Sequence, residues 1–119
     1  LMTPKKIAES AIKALDEKKG IDIKLISTKN VTVVTDYFII VNGTSNTHVK
    51  SLADEAEDAL TKLGVEADHI EGKATGWILL DYGCVVIHVF TKEARDYYNL
   101  EKLWADGVEE DISALVTED

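Results

Sequence analysis

The side chains able to do chemistry are few: three histidines (His48, His69 and His88), one cysteine (Cys84), and the small turn Gly43-Thr44-Ser45. Nucleophilic catalysis needs a base within hydrogen-bond reach of a serine or thiol. His48 falls in the first turn of an expected helix, His69 in a polar strand and His88 in an apolar one, and no spacing forces them together. Each reads as an isolated histidine. The single cysteine excludes an intramolecular disulfide, a CxxC pair and a zinc ribbon, and suits a reducing cytosol.

Phosphate chemistry is also poorly supported. Gly72-Lys73 has neither the glycine five positions before Gly72 nor the hydroxyl after the lysine that a Walker loop uses to free its backbone and ligate magnesium; those positions are Ala67 and Ala74. Gly43-Thr44-Ser45 stands between an expected strand and helix and could cradle an anion, but a cap is required there in any case. The element order raises a nucleotide-binding or nucleotidyl-transfer enzyme as an alternative reading. Two-metal chemistry would need paired carboxylates on a neighbouring strand. Asp81 stands alone, and the strand Cys84 to Phe90 offers only His88. No cofactor, metal or catalytic residue is therefore expected. Asn30-Val31-Thr32 and Asn42-Gly43-Thr44 match the glycosylation sequon, which has no consequence without secretion.

The elements that must position these groups follow from periodicity. Thr3-Pro4 opens a helix whose Ile7, Ala8, Ala11, Ile12 and Leu15 share one face, with Gly20 as its stop. Ile21, Ile23 and Leu25 alternate with Asp22 and Lys24 as a half-buried strand to Ser27, where a turn to Asn30 follows. Val31 to Thr35 is β-branched and reads either as a strand or as an extended connection. Tyr37 to Val41 is an unbroken apolar run that predicts a strand buried on both faces, hence helices on both sides of the sheet. Thr44-Ser45 caps a second helix, with Val49, Leu52, Ala53, Ala56, Leu60 and Leu63 inward and Gly64 closing it.

Val65 to Glu71 predicts a short strand and Gly72 to Gly76 a loop. Gly76 to Phe90 then reads as two core strands joined at Asp81-Tyr82-Gly83. Thr91 caps a third helix through Tyr98, and Leu100, Leu103 and Trp104 lie on one helical face beyond it. The expectation is an α/β domain over residues 1–105, with a mixed β-sheet of about five strands and helices on both faces. An acidic tail over 106–119 follows, with Ile112, Leu115 and Val116 as a short amphipathic turn.

The totals fit one domain. A chain of 119 residues should bury roughly two-thirds of the surface its unfolded form exposes. No apolar run approaches the ~20 residues of a membrane-spanning helix, and Lys5-Lys6 leads into an amphipathic pattern rather than a signal peptide. The expected location is the cytoplasm where the chain is made, with no membrane partner. Leu1 before Met2 is read as a cloning remnant. A net charge of −9, from 13 basic and 22 acidic residues, repels phosphate backbones, so no direct sequence-specific nucleic-acid binding is expected and a basic partner fits better.

Five segments in order resemble the ribosomal silencing factor family, also called Iojap-like. They are Asp36 to Ile40; Gly43-Thr44-Ser45 with His48-Val49; Gly76-Trp77-Ile78 through Asp81 and Gly83; His88-Val89-Phe90; and Tyr98 to Trp104. The resemblance is taken to extend over residues 4–104. The resemblance implies a nucleotidyltransferase-like fold without the catalytic metal site. It also implies a non-enzymatic factor that binds ribosomal protein uL14 on the large subunit and sterically blocks the small subunit, lowering translation when nutrients are short. This chain departs from the family at Cys84, where an acidic residue is common, which puts a charge contact there in doubt.

Period two divides the central hairpin. Ile78, Leu80, Val85, Ile87 and Val89 form an all-aliphatic set that must be core, whereas Trp77, Leu79 and Asp81 share the other face with Cys84, Val86, His88 and Phe90. Trp77 is then either core or an interface anchor beside an acidic neighbour, and His88 is either hydrogen-bonded within the domain or in contact with the partner. With the resemblance, the expected uL14-binding residues are Trp77, Leu79, Asp81, His88, Tyr98, Glu101 and Lys102. A homodimer through the same face is a further expectation to be tested by mass.

Overall fold

The computed structural model describes residues 3–28, 35–73, 76–99 and 107–116. Helix α1 runs Pro4–Glu17 behind Thr3, whose hydroxyl accepts from the Lys6 amide at 3.2 Å. Ile7, Ala8, Ala11, Ile12 and Leu15 are buried along it, the face that the periodicity predicts. The helix stops before Gly20, because Lys19 takes the left-handed conformation at φ 63°. Gly20 serves close packing instead: a Cβ there would lie 2.7 Å from Val41 Cγ2 and 3.0 Å from the Leu15 carbonyl oxygen.

Strand β1 is Ile21–Ser27 and β2 is Tyr37–Gly43. Helix α2, Asn46–Lys62, starts behind Ser45, whose Oγ accepts from the His48 amide at 3.1 Å. Then come β3 (His69–Lys73), β4 (Trp77–Asp81), β5 (Val85–Thr91), α3 (Lys92–Tyr98) and β6 (Val108–Glu110). Thr91 caps α3 by accepting from the Ala94 amide, and Asn99 ends it at φ 48°.

The six strands form one mixed sheet in the order β3-β4-β5-β2-β1-β6. Only the central β2–β5 pair is parallel among the described ladders; the others are antiparallel. β2 is buried along its whole length, as an unbroken apolar run requires. On one side of the sheet α1 and α2 close a core with Tyr37, Ile39, Val41, Leu80, Val85, Ile87 and Val89. On the other, Ile26, Phe38, Ile40, Val86 and Phe90 meet Ala94 of α3, with Trp77 and Leu79 packed against them. Helices therefore flank both faces.

Three expectations need correction. The sheet has six strands rather than about five, and the sixth comes from the acidic stretch beyond residue 105: β6 pairs antiparallel with β1 from Leu25↔Glu110 to Ser27↔Val108. Ile112, Leu115 and Val116 beyond it pack against the main core. The alternation in β1 also fails at its start. Its register steps from Ile21↔Asn42 to Lys24↔Ile40, three residues against two, with Asp22 at φ 54°. That bulge turns Ile21 outward, to 42% exposure, while Ile23 and Leu25 stay with the core. The strand expected over Val65 to Glu71 begins only at His69 and extends through Lys73, so Gly72 is in the ladder rather than in a loop. Val31 to Val34 lies outside the described residues.

Candidate functional site

Three cross-strand rows build the face of interest. Antiparallel pairing sets Asp81 between His69 of β3 and Val86 of β5, Leu79 between Glu71 and His88, and Trp77 between Lys73 and Phe90. Directly paired residues point to the same side of a sheet, so Trp77, Leu79, Asp81 and His88 share one face, opposite Ile78 and Leu80. Except at Cys84, the division read from period two is the one the structure has.

Depth separates these residues. Trp77, Leu79 and Asp81 are half-buried, whereas His88 is only 5% exposed. The indole of Trp77 packs at 5.1 Å between centroids from Phe90 and 6.0 Å from His88, and Phe38 lies 5.6 Å from the same imidazole. His88 is thus the floor beneath Trp77. Neither of its ring nitrogens has a hydrogen-bond partner among the described residues. Burial lowers its pKa to about 4, with the Asp81 charge opposing that shift. The imidazole is neutral near pH 7.

Asp81 works at the turn: its Oδ1 accepts from the Gly83 amide at 2.8 Å, and Gly83 adopts φ 80°. Its carbonyl accepts from the Asp68 amide, which anchors the approach to β3. Tyr98 ends α3, and Glu101 and Lys102 lie outside the described residues.

The groups that could have formed a nucleophilic site are dispersed. His48 is a clasp: its Nδ1 accepts from the Thr44 amide at 2.9 Å, and its Nε2 lies 2.8 Å from the Lys18 carbonyl oxygen. A carbonyl can only accept, so Nε2 carries the proton, and the ring ties the end of α1 to the β2–α2 turn. His69 is exposed on β3. Cys84 leaves the face on which its period-two position would put it and packs against the core of α1 and α2, because it belongs to the turn before β5; burial raises its thiol pKa. The Gly43-Thr44-Ser45 turn shares a surface groove with Asn42, Thr91 and Lys92, where Glu93 is the one carboxylate among the described lining residues.

Sequence reasoning passed over two features. Arg95, 6% exposed on α3, donates from Nη1 to the Asp22 carbonyl at 2.7 Å and to Asn42 Oδ1, bracing the β1 bulge. The exposed row His69 and Glu71 on β3 adjoins Asp81 and Leu79. The alternation His69, Glu71, Lys73 was the available signal, hidden by reading Gly72 as the start of a loop.

Fold and face together define an α/β domain with a mixed sheet, one side of which carries a half-buried aromatic and aliphatic pair flanked by carboxylates. Residues 2–119 match the family model described as "Ribosomal silencing factor during starvation", and the chain belongs to that family. It is 33% identical over 117 residues to the ribosomal silencing factor RsfS of Halalkalibacterium halodurans, covering 98% of this chain and 100% of that protein. With RsfS of Bacillus subtilis it shares 40% identity over 107 residues, 89% of this chain and 91% of the other. The chloroplastic protein Iojap of Zea mays is 31% identical over 84% of this chain, which spans 44% of that longer protein. A crystal structure of a Chromobacterium violaceum protein superposes with a TM-score of 0.84 at 38% identity, covering 87% of this chain and 88% of that one.

Proposed function

We propose that this chain docks on ribosomal protein uL14 of the large ribosomal subunit and, once there, blocks association with the small subunit, lowering translation during nutrient limitation. The carrying observation is the half-buried Trp77–Leu79 pair with Asp81 beside it, on the sheet side opposite α1 and α2. Trp77 sits on a packed floor of His88 and Phe90, so its indole is held in place for a partner at little further entropic cost. The net charge of −9 favours encounter with a basic ribosomal protein. Tyr98, Glu101 and Lys102 extend the proposed contact, and His88 contributes by supporting Trp77 from below. Such a factor acts in the cytoplasm, as a binding protein rather than an enzyme.

Co-sedimentation with large subunits tests the reading. Trp77→Ala should weaken binding by about 30-fold, the equivalent of about 2 kcal/mol for a central aromatic anchor. It should also restore subunit joining in a light-scattering assay while the circular dichroism spectrum stays folded. Full-strength binding by folded Trp77→Ala would overturn the proposed face.

A further inference from the structure

The docking face continues past Trp77 and Leu79 to the edge of the sheet, and there it ends on a carboxylate. Glu71 on edge strand β3 pairs directly with Leu79, which pairs in turn with His88. Side chains so paired lie roughly 5 Å apart at Cβ. Glu71 is exposed and has no ion-pair partner among the described residues, unlike Asp54, Asp58 and Asp96, each of which is met by a lysine one helical turn away. On this face, then, an apolar strip of Leu79 and Trp77 is bordered by a carboxylate that has no partner among the described residues, with Asp81 already occupied at Oδ1 by the Gly83 amide.

We propose that Glu71 is a specificity-determining residue of the docking face: it receives a lysine or arginine side chain of the docked protein, whose aliphatic stem lies across Leu79. The shape of the row argues for this occupant. A cation with a long apolar stem can cover Leu79 along its length and place its charge on Glu71. A short polar side chain would satisfy only one of these contacts. A partner carboxylate would meet Glu71 and Asp81 as like charges and be rejected. Glu71 lies at the border of the apolar strip, so its charge acts chiefly on the rate of encounter and on register, as rim charges do.

This inference rests on the docking reading above, and the experiment separates the two. Association and dissociation of the full chain with immobilised large ribosomal subunits are measured across a salt series for wild type, Glu71→Gln, Glu71→Lys, Trp77→Ala and Asp54→Lys. Asp54→Lys makes the same charge change as Glu71→Lys on exposed α2, on the far side of the sheet. Glu71→Lys should slow association about tenfold at low salt and flatten its salt dependence, with Glu71→Gln intermediate and Asp54→Lys within about twofold of wild type. Trp77→Ala should act on dissociation. If Trp77→Ala loses binding while both Glu71 variants behave as wild type, the role of Glu71 is overturned and the docking reading stands. If Asp54→Lys slows association as much as Glu71→Lys, the effect is one of net charge and the assignment to Glu71 is likewise overturned. If Trp77→Ala and the Glu71 variants all bind as wild type, the docking face itself is wrong.

Discussion

The indole of Trp77 and the imidazole of His88 lie 6.0 Å apart, their planes tilted by 38°, so that the half-buried ring on β4 rests on a buried titratable ring on β5. An imidazole with no hydrogen-bond partner among the described residues is a costly floor for an aromatic residue. Its cost rises steeply once it is asked to carry charge.

That cost sets a pH dependence. Burial lowers His88 to about 4, below the ordinary value of 6.5, so between those values the unfolded chain binds the proton that the folded chain refuses. Stability is therefore fully present above about pH 6.5 and is lost as the pH falls toward 4. Between pH 7.5 and pH 5 this one group should remove about 2 kcal/mol. Urea unfolding of wild type and His88→Leu at both pH values isolates the contribution. His88→Leu should be at least as stable at pH 7.5 and should lack this part of the acid loss. An equal loss in both proteins would show that other groups carry it.

The two faces of the central hairpin were legible because β4 and β5 lack a bulge and period two survives along them. Depth was not legible. Whether His88 faces solvent depends on Phe38 and Trp77 lying over it, and those contacts join residues from three strands. The same limit explains Ile21. The alternation Ile21, Ile23, Leu25 is a sound strand pattern, but Asp22 turns to positive φ where Arg95, more than seventy positions later, braces its carbonyl. A local pattern cannot register a brace supplied from another element.

Arg95 therefore offers a second prediction. Its guanidinium is almost fully buried and satisfies both the Asp22 carbonyl and the Asn42 side chain, with the Asp22 carboxylate 3.7 Å from Nη2. Arg95→Met keeps much of the volume but leaves the buried Asn42 oxygen without this donor. The expected loss is about 3 kcal/mol in urea unfolding at pH 7.5. Hydrogen exchange should speed first at the start of β1 and the end of β2, where the bulge is held. Unchanged protection there would mean that the bulge is fixed by the strand pairing alone.

The acidic stretch after residue 105 has a structural task that its composition concealed. Three ladder positions, Val108 to Glu110, cover the outer edge of β1, and Ile112, Leu115 and Val116 pack against the core next to it. The strand is short, with two glutamates and an exposed valine in its three positions, so the segment reads as a tail. Glutamates on an edge strand also discourage pairing with a further chain. Ending the chain at residue 106 would uncover the β1 edge and part of the apolar surface around Leu25. We expect the truncated protein to lose about 3 kcal/mol, from three partly buried side chains and the lost ladder, and to associate at high concentration through the exposed β1 edge. Thermal unfolding and sedimentation measure the two effects separately. A truncated domain with wild-type stability that remained monomeric would show that β6 is dispensable to the fold.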